Sequence, residues 1–221
     1  MKGKGKSPKE LIEERRKELV NKLEEIRRFS IADLAAQIEV IGFECIRCGD
    51  CCIGDDNSVV AFPFEIRKIL ESNSIGWLDA AEPPSVGEWD HKGCFHTLEW
   101  RIKKDAESCK FYTKGTCMIY QDRPMLCKTY PFYLEDGILR TSLCRGLGRN
   151  IGSYDAEEIA FRVKERSITE IKEAMSLLEK YPGFERGIWS EEGYCIVHDS
   201  EGEHRIEWKD LPDFLPRIMN F

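Results

Sequence analysis

The run Cys45-Ile46-Arg47-Cys48-Gly49-Asp50-Cys51-Cys52 constrains this chain of 221 residues more than any other feature. Two residues between successive cysteines let the backbone fold back until the sulfurs face one centre, and Gly49 permits the tight turn that this needs. Cys45, Cys48 and Cys51 have the spacing of the first three ligands in a bacterial ferredoxin run. The fourth ligand of that run, a Cys-Pro, is missing here and must come from elsewhere. In an extended backbone, neighbouring Cys51 and Cys52 would point apart, so each could serve a different centre.

A second region supplies Cys109, Cys117, Cys127 and Cys144. Together the two regions give enough thiolates for two four-ligand sites or one larger polynuclear cluster. The chain has ten cysteines, and Cys94 and Cys195 stand outside this pattern. The basic start, Met1 to Lys6, runs into a charged helix and not into the apolar core of a signal peptide. The expected location is therefore the cytoplasm, where reducing conditions favour metal ligation over disulfides. No apolar run is long enough for a membrane span. The net charge of −7 is uneven: residues 1–29 carry +4, which leaves −11 on the rest. So acidic a body argues against nucleic acid as the main partner.

The predicted fold is α+β: mainly helical, with a small loop-rich cysteine-cluster core, short strands and a C-terminal hairpin. Three segments are expected. Residues 1–29 form a charged N-terminal helix or arm, 30–150 the metal-binding domain, and 151–221 C-terminal helices and a hairpin packed on it. Ser7-Pro8 is a helix start, with serine as N-cap and proline in the first turn. Ile12, Leu19, Val20, Leu23 and Ile26 form a narrow stripe suited to lying on the body or docking on a protein partner. Ser30 caps a second helix. Val59 to Phe62 reads as a buried strand, and Pro63 opens a helix that turns Phe64, Ile66, Ile69 and Leu70 inward. Residues 79–93 read as a loop, and 155–180 as a long helix broken near Ser167. Tyr194 to Val197 and His204 to Trp208 flank the turn Asp199-Ser200-Glu201-Gly202.

The chain resembles the YkgJ-like CxxCxxCC cysteine-cluster family, described as zinc- or iron-chelating and often labelled iron–sulfur oxidoreductases. The matching residues are Cys45 to Cys52, Cys109-Lys110-Phe111, Cys117 to Phe132 with Arg123-Pro124 inside it, and Cys144 to Gly148. The resemblance covers roughly residues 40–150. It implies a ligand set of Cys45, Cys48, Cys51, Cys52, Cys109, Cys117, Cys127 and Cys144. On this basis the expected cofactor is an iron–sulfur cluster of the 4Fe-4S type, with Zn2+ as the alternative. The expected role is electron transfer or cluster handling as a subunit or accessory factor of a larger redox complex. A zinc-binding structural adaptor is the first alternative. The second is a metal-dependent protein-modifying enzyme, since a related domain accompanies flagellin lysine methylation. No catalytic residue is assigned.

Arg47, Lys110, Arg123, Lys128 and Arg145 sit beside or near proposed ligands, where cations offset thiolate charge. Tyr120, Tyr130, Phe132 and Tyr133 are expected to shield the site from water. His91, Cys94 and His96 form a second candidate ligand group, with an ordinary solvent-facing loop as the competing reading. Cys195 is expected to be a packing residue, and His198 and His204 could face each other across the turn. The chain has no phosphate-binding glycine loop and no dinucleotide fingerprint.

Overall fold

A computed structural model describes residues 8–54 and 57–219, so the basic start and the Ser7 cap lie outside the described residues. Among the described residues there are seven α-helices: α1 Pro8–Arg27, α2 Ile31–Ile41, α3 Pro63–Asn73, α4 Trp77–Ala80, α5 Met125–Thr129, α6 Ser153–Lys180 and α7 Phe214–Met219. Short strands lie between them, and the fold is α+β. No helix among the described residues is long and apolar enough to cross a membrane. The chain divides into two compact units. One runs through Ile46 and resumes at Thr129–Glu179; the other comprises Arg47–Lys128 and Lys180–Phe221.

The first unit is built on α1, α2, α6 and the hairpin Phe132–Glu135/Ile138–Thr141. Ala156, Ala160, Val163, Ser167 and Ile171 of α6 recur every three or four residues and make one buried face. Leu34, Ala35 and Ile38 of α2 pack with that face around Phe132. Ser30 caps α2, its hydroxyl accepting from the Asp33 N–H at 3.2 Å. The expected break near Ser167 does not occur. Serine on the inner face keeps the apolar period intact on either side, and nothing there interrupts the backbone ladder. In α1, Leu19 and Leu23 are buried against Ile168, Ile171 and Met175, while Leu11, Ile12 and Val20 stay exposed. Part of the narrow stripe is thus used within the chain.

In the second unit the strands Gly202–Ile206, Cys195–Asp199, Phe95–Leu98 and Gly87–Trp89 form one sheet in that order. The hairpin pairs Cys195 with Ile206 and Asp199 with Gly202, as the turn residues predict. Cys195–Asp199 also runs parallel to Phe95–Leu98. A small second sheet places Trp100–Ile102 between Val60–Ala61 and Ala81–Glu82. The loop expected over 79–93 therefore contains two strands of two and three residues, too short for a periodic signal. Ile66 and Ile69 of α3 are buried, but Phe64 is exposed and stacks on Phe62 at 5.9 Å. Glu65 takes the inner position instead. Its carboxylate accepts the Phe62 N–H at 3.0 Å and the Met125 N–H at 2.6 Å, tying the start of α3 to that of α5.

Trp100 lies at the centre of this unit, 2% exposed. Its indole N–H donates to Asp199 Oδ2 at 2.9 Å. His204 contacts the same carboxylate oxygen at 2.9 Å, short of a well-directed hydrogen bond. Because strand neighbours alternate faces, His204 lies on the side of Val197 and His198 on the other. The two histidines do not face each other.

Candidate metal centre

Gly49 starts the geometry of the first cysteine run. It adopts φ +81°, and a 3-10 turn, Asp50–Cys52, follows it. This turn overturns the expectation that Cys51 and Cys52 point apart. The backbone is not extended there, and their sulfurs lie 3.9 Å apart. Two thiolates on one tetrahedral metal, with bonds of about 2.3 Å, stand about 3.8 Å apart. The pair has the separation of two ligands of one centre.

Three further cysteines of the same unit lie within electrostatic reach of this pair. Ile53 bridges to Ser108, and the Gly54 N–H donates to Glu107 O at 2.8 Å, which lays the turn along the strand Ser108–Cys109. The next hairpin puts Cys117 opposite Tyr112, whose hydroxyl donates to the Cys48 carbonyl at 3.4 Å. Cys127 comes from α5. Electrostatics ties them together. Charge on Cys109 and Cys117 raises the pKa of Cys52, and charge on Cys109, Cys51 and Cys117 raises that of Cys127. Cys51, Cys52, Cys109, Cys117 and Cys127 thus form a group of five thiols. No three Cys, His, Asp or Glu side chains among the described residues converge tightly enough to hold an ion as placed. In donor chemistry the group nevertheless fits a thiophilic metal, since soft sulfur is what zinc and iron–sulfur clusters take.

The thiols are not equivalent. The Cys52 thiol donates to Cys51 and lowers its pKa to about 7, with the cation of Arg123 adding to the effect. The same bond, then burial, pushes Cys52 up. Burial is the main cause of the upward shifts at Cys109, Cys117 and Cys127. Within this group Cys51 is therefore the readiest thiolate. Arg123 lowers Cys51, Cys117 and Cys127 alike, the offset expected of a cation among thiolates. Its guanidinium lies 3.7 Å over the Tyr120 ring, that of Arg47 lies 4.8 Å over the same ring, and Arg123 Nε donates to Tyr120 O. Lys110 pairs with Asp79 at 3.6 Å.

The other expected ligands and shields are placed as follows. Cys48 follows Arg47 in the second unit, with its carbonyl held by Tyr112. Cys45 and Cys144 belong to the first unit, where the Glu44 N–H donates to Gly146 O at 3.0 Å and brings their two segments side by side. Cys144 Sγ accepts the Gly146 N–H at 3.4 Å. Phe132 is buried in the core of the first unit, edge-on to Phe43 at 5.5 Å, and Tyr130 and Tyr133 belong to that unit too. In the second unit the apolar cover over Cys109, Cys117 and Cys127 comes from Phe111, Ile119 and Leu126. Phe111 and Ile119 each lie two residues beyond a cysteine, a local signal that could have identified them.

His91, Cys94 and His96 do not assemble as a ligand group. His91 is exposed, Cys94 is buried, and the His96 ring turns to Asp90 and His198. Cys195 is fully buried, and burial pushes its thiol up to about 12, as suits a packing residue.

Gly49 offers a direct test of the turn. A Cβ there would stand 1.9 Å from Tyr112 Oη. A non-glycine residue in the left-handed region also costs roughly 1–2 kcal/mol. Gly49→Ala is expected to lower both the thermal unfolding temperature and the metal content of the purified protein. Tyr112→Ala in the same chain restores only the steric part, leaving the backbone cost measurable.

No curated protein and no solved structure matches the chain. A protein-family model does: CxxCxxCC, a "putative zinc- or iron-chelating domain", matches residues 44–145, just under half of the chain and all eight cysteines of the expected set. Residues 44–145 are thus similar to the CxxCxxCC family, and that likeness supports metal binding by this part of the chain.

Proposed function

We propose that the protein carries an iron–sulfur centre and serves electron transfer or cluster handling within a larger redox complex in the reducing cytoplasm. The observation that carries this reading is the group Cys51, Cys52, Cys109, Cys117 and Cys127 inside the chelating domain. The triplet spacing from Cys45 to Cys51 supports iron over zinc. When bound, such a centre takes up and releases electrons. The chain's part is to supply thiolates, to offset their charge with Arg123, and to keep water away with Phe111, Ile119 and Leu126. The exposed Leu11, Ile12 and Val20 of α1 would meet the protein partner.

A second reading, a zinc-stabilised adaptor, is favoured by the 3.9 Å Cys51–Cys52 separation, which matches the edge of a single-metal tetrahedron. Anaerobic purification with metal and sulfide analysis and electron paramagnetic resonance separates the two. Iron with inorganic sulfide, and a signal that changes on dithionite reduction, supports the iron–sulfur reading. Stoichiometric zinc without sulfide overturns it in favour of the adaptor.

A further inference from the structure

A buried polar chain in the second unit lies outside the metal chemistry. Asp90 Oδ1 accepts the N–H groups of Lys92 at 2.9 Å and Cys94 at 2.8 Å. Its other oxygen lies 3.1 Å from His96 Nε2, and His96 Nδ1 lies 2.8 Å from His198 Nε2. All three side chains are buried, His198 to 1% exposure. Burial pushes Asp90 up, but the two N–H groups and the His96 ring outweigh it and leave it below the usual carboxylate range. As an ionised acceptor, Asp90 fixes the hydrogens along the chain: His96 donates from Nε2, and its Nδ1 accepts from His198 Nε2. His198 Nδ1 is left as the free basic nitrogen, 3.8 Å from Glu203 Oε1.

The segment Tyr181–Gly187, directly after α6, straps over this pair. Phe184 stacks on His96 at 3.8 Å, and Tyr181 stands edge-on to His198 at 4.8 Å. Two backbone bonds hold the strap down: His91 N–H to Glu185 O at 3.0 Å and Gly187 N–H to Trp89 O at 2.8 Å. Arg186 pairs with Glu88 at 2.6 Å.

We propose that the Asp90–His96–His198 chain is an acid-operated latch that holds the strap Tyr181–Gly187 closed while the histidine pair carries at most one extra proton. The first added proton takes His198 Nδ1, facing Glu203. A second has no place, because it would set N–H against N–H across a gap that holds one hydrogen. The rings must then part, and the aromatic rings of the strap stacked on them must move. The groups around the pair are Glu88 from the neighbouring strand, Glu203 and Arg205 from the hairpin, and Tyr181 and Arg186 from the strap, with Asp199 and His204 on the opposite face. The acids favour charging; burial and the mutual repulsion of the two rings oppose it. For His198, burial and then His96 leave the folded pKa below the ordinary value. The unfolded chain therefore binds this first proton ahead of the folded one, so folding stability is full above about pH 6.5 and falls as pH drops below it, while the strap itself opens only with the second proton.

The test is amide hydrogen exchange followed by NMR on the full-length, metal-loaded protein, with imidazole nitrogen spectra recorded on the same samples. Between pH 7.5 and 5.0 the protection factors of His91 and Gly187 are expected to fall at least about tenfold, while that of Ile102, which donates to Val59 O, holds. The neutral spectra should show both rings protonated at Nε2. In His198→Phe the two strap amides should lose their pH dependence. If that variant does not fold, the wild-type ring titration decides, because the midpoint of strap opening must coincide with double protonation of the pair. Protection independent of pH, an equal fall in His198→Phe, or doubly protonated rings beneath a protected strap would each overturn the proposal.

Discussion

Cys127→Ser and Cys117→Ser each strip the purified protein of most of its metal, whereas Cys195→Ser leaves metal content unchanged. This contrast follows from where the three thiols sit. Cys117 and Cys127 share an electrostatic neighbourhood with Cys51, and Cys127 also with Cys109, so loss of either sulfur removes a donor from the group. Losing an outer-shell partner of a metal already costs roughly 10–100-fold in affinity, and a direct ligand costs at least that. Cys195 lies in the middle of the four-stranded sheet, with Ile206 on one side and Phe95 on the other. Serine there buries a hydroxyl and lowers stability without touching the thiol group. Metal-to-protein ratios on the same preparations check all three. Equal loss in Cys195→Ser would mean that the ligand group is wrongly drawn. Cys45→Ser and Cys144→Ser, measured alongside, decide whether the eight-cysteine set implied by the family resemblance is needed in full.

The largest effect on stability is expected from Trp100→Ala. The side chain is 2% exposed and packs edge-on against Trp77 at 5.4 Å. Truncating a buried tryptophan to alanine costs about 3–5 kcal/mol from lost burial and the cavity left behind. The indole N–H is also a donor to Asp199, which is buried and would lose that partner. For a chain of this size each kcal/mol moves the unfolding midpoint by roughly 2–4 °C, so a fall on the order of 10 °C is expected. Ile188→Ala is the control: Ile188 is 83% exposed, and its loss should stay within about 0.5 kcal/mol. Thermal unfolding of the two variants beside the wild type reads the difference.

What the sequence made legible was local chemistry. Asp199-Ser200-Glu201-Gly202 marks a turn by composition alone, and the hairpin followed, with Asp199 Oδ1 accepting the Glu201 N–H at 2.8 Å. The capped start of α2 and the long period of α6 were equally readable. Misreadings arose where tertiary contacts override local pattern. Phe64 yields the inner face of α3 to Glu65 because the carboxylate satisfies two backbone donors that phenylalanine could not. Ser167 suggests a break only when its buried neighbours are unseen. The spacing from Cys45 to Cys52 marks candidate donors, but the relative direction of Cys51 and Cys52 depends on a 3-10 turn that begins at a left-handed glycine. His96 and His198 meet only because two strands distant in sequence pair in parallel, and no spacing rule encodes that.

That parallel pairing also bears on how portable the chelating domain is. Residues 44–145 include the strand Phe95–Leu98 but not Cys195–Asp199, which supplies its parallel neighbour. A fragment cut to those boundaries would bare the hydrogen-bonding edge of an almost wholly buried strand, an invitation to pair with another copy. The same cut discards Tyr181 and Phe184, which lie over His96 and His198, together with Cys195, Val197, Ile206, Leu211, Phe214 and Ile218 of the core that holds Trp100. In this chain the stretch that holds the cysteines therefore depends, for one strand's hydrogen bonds, on C-terminal residues far outside it.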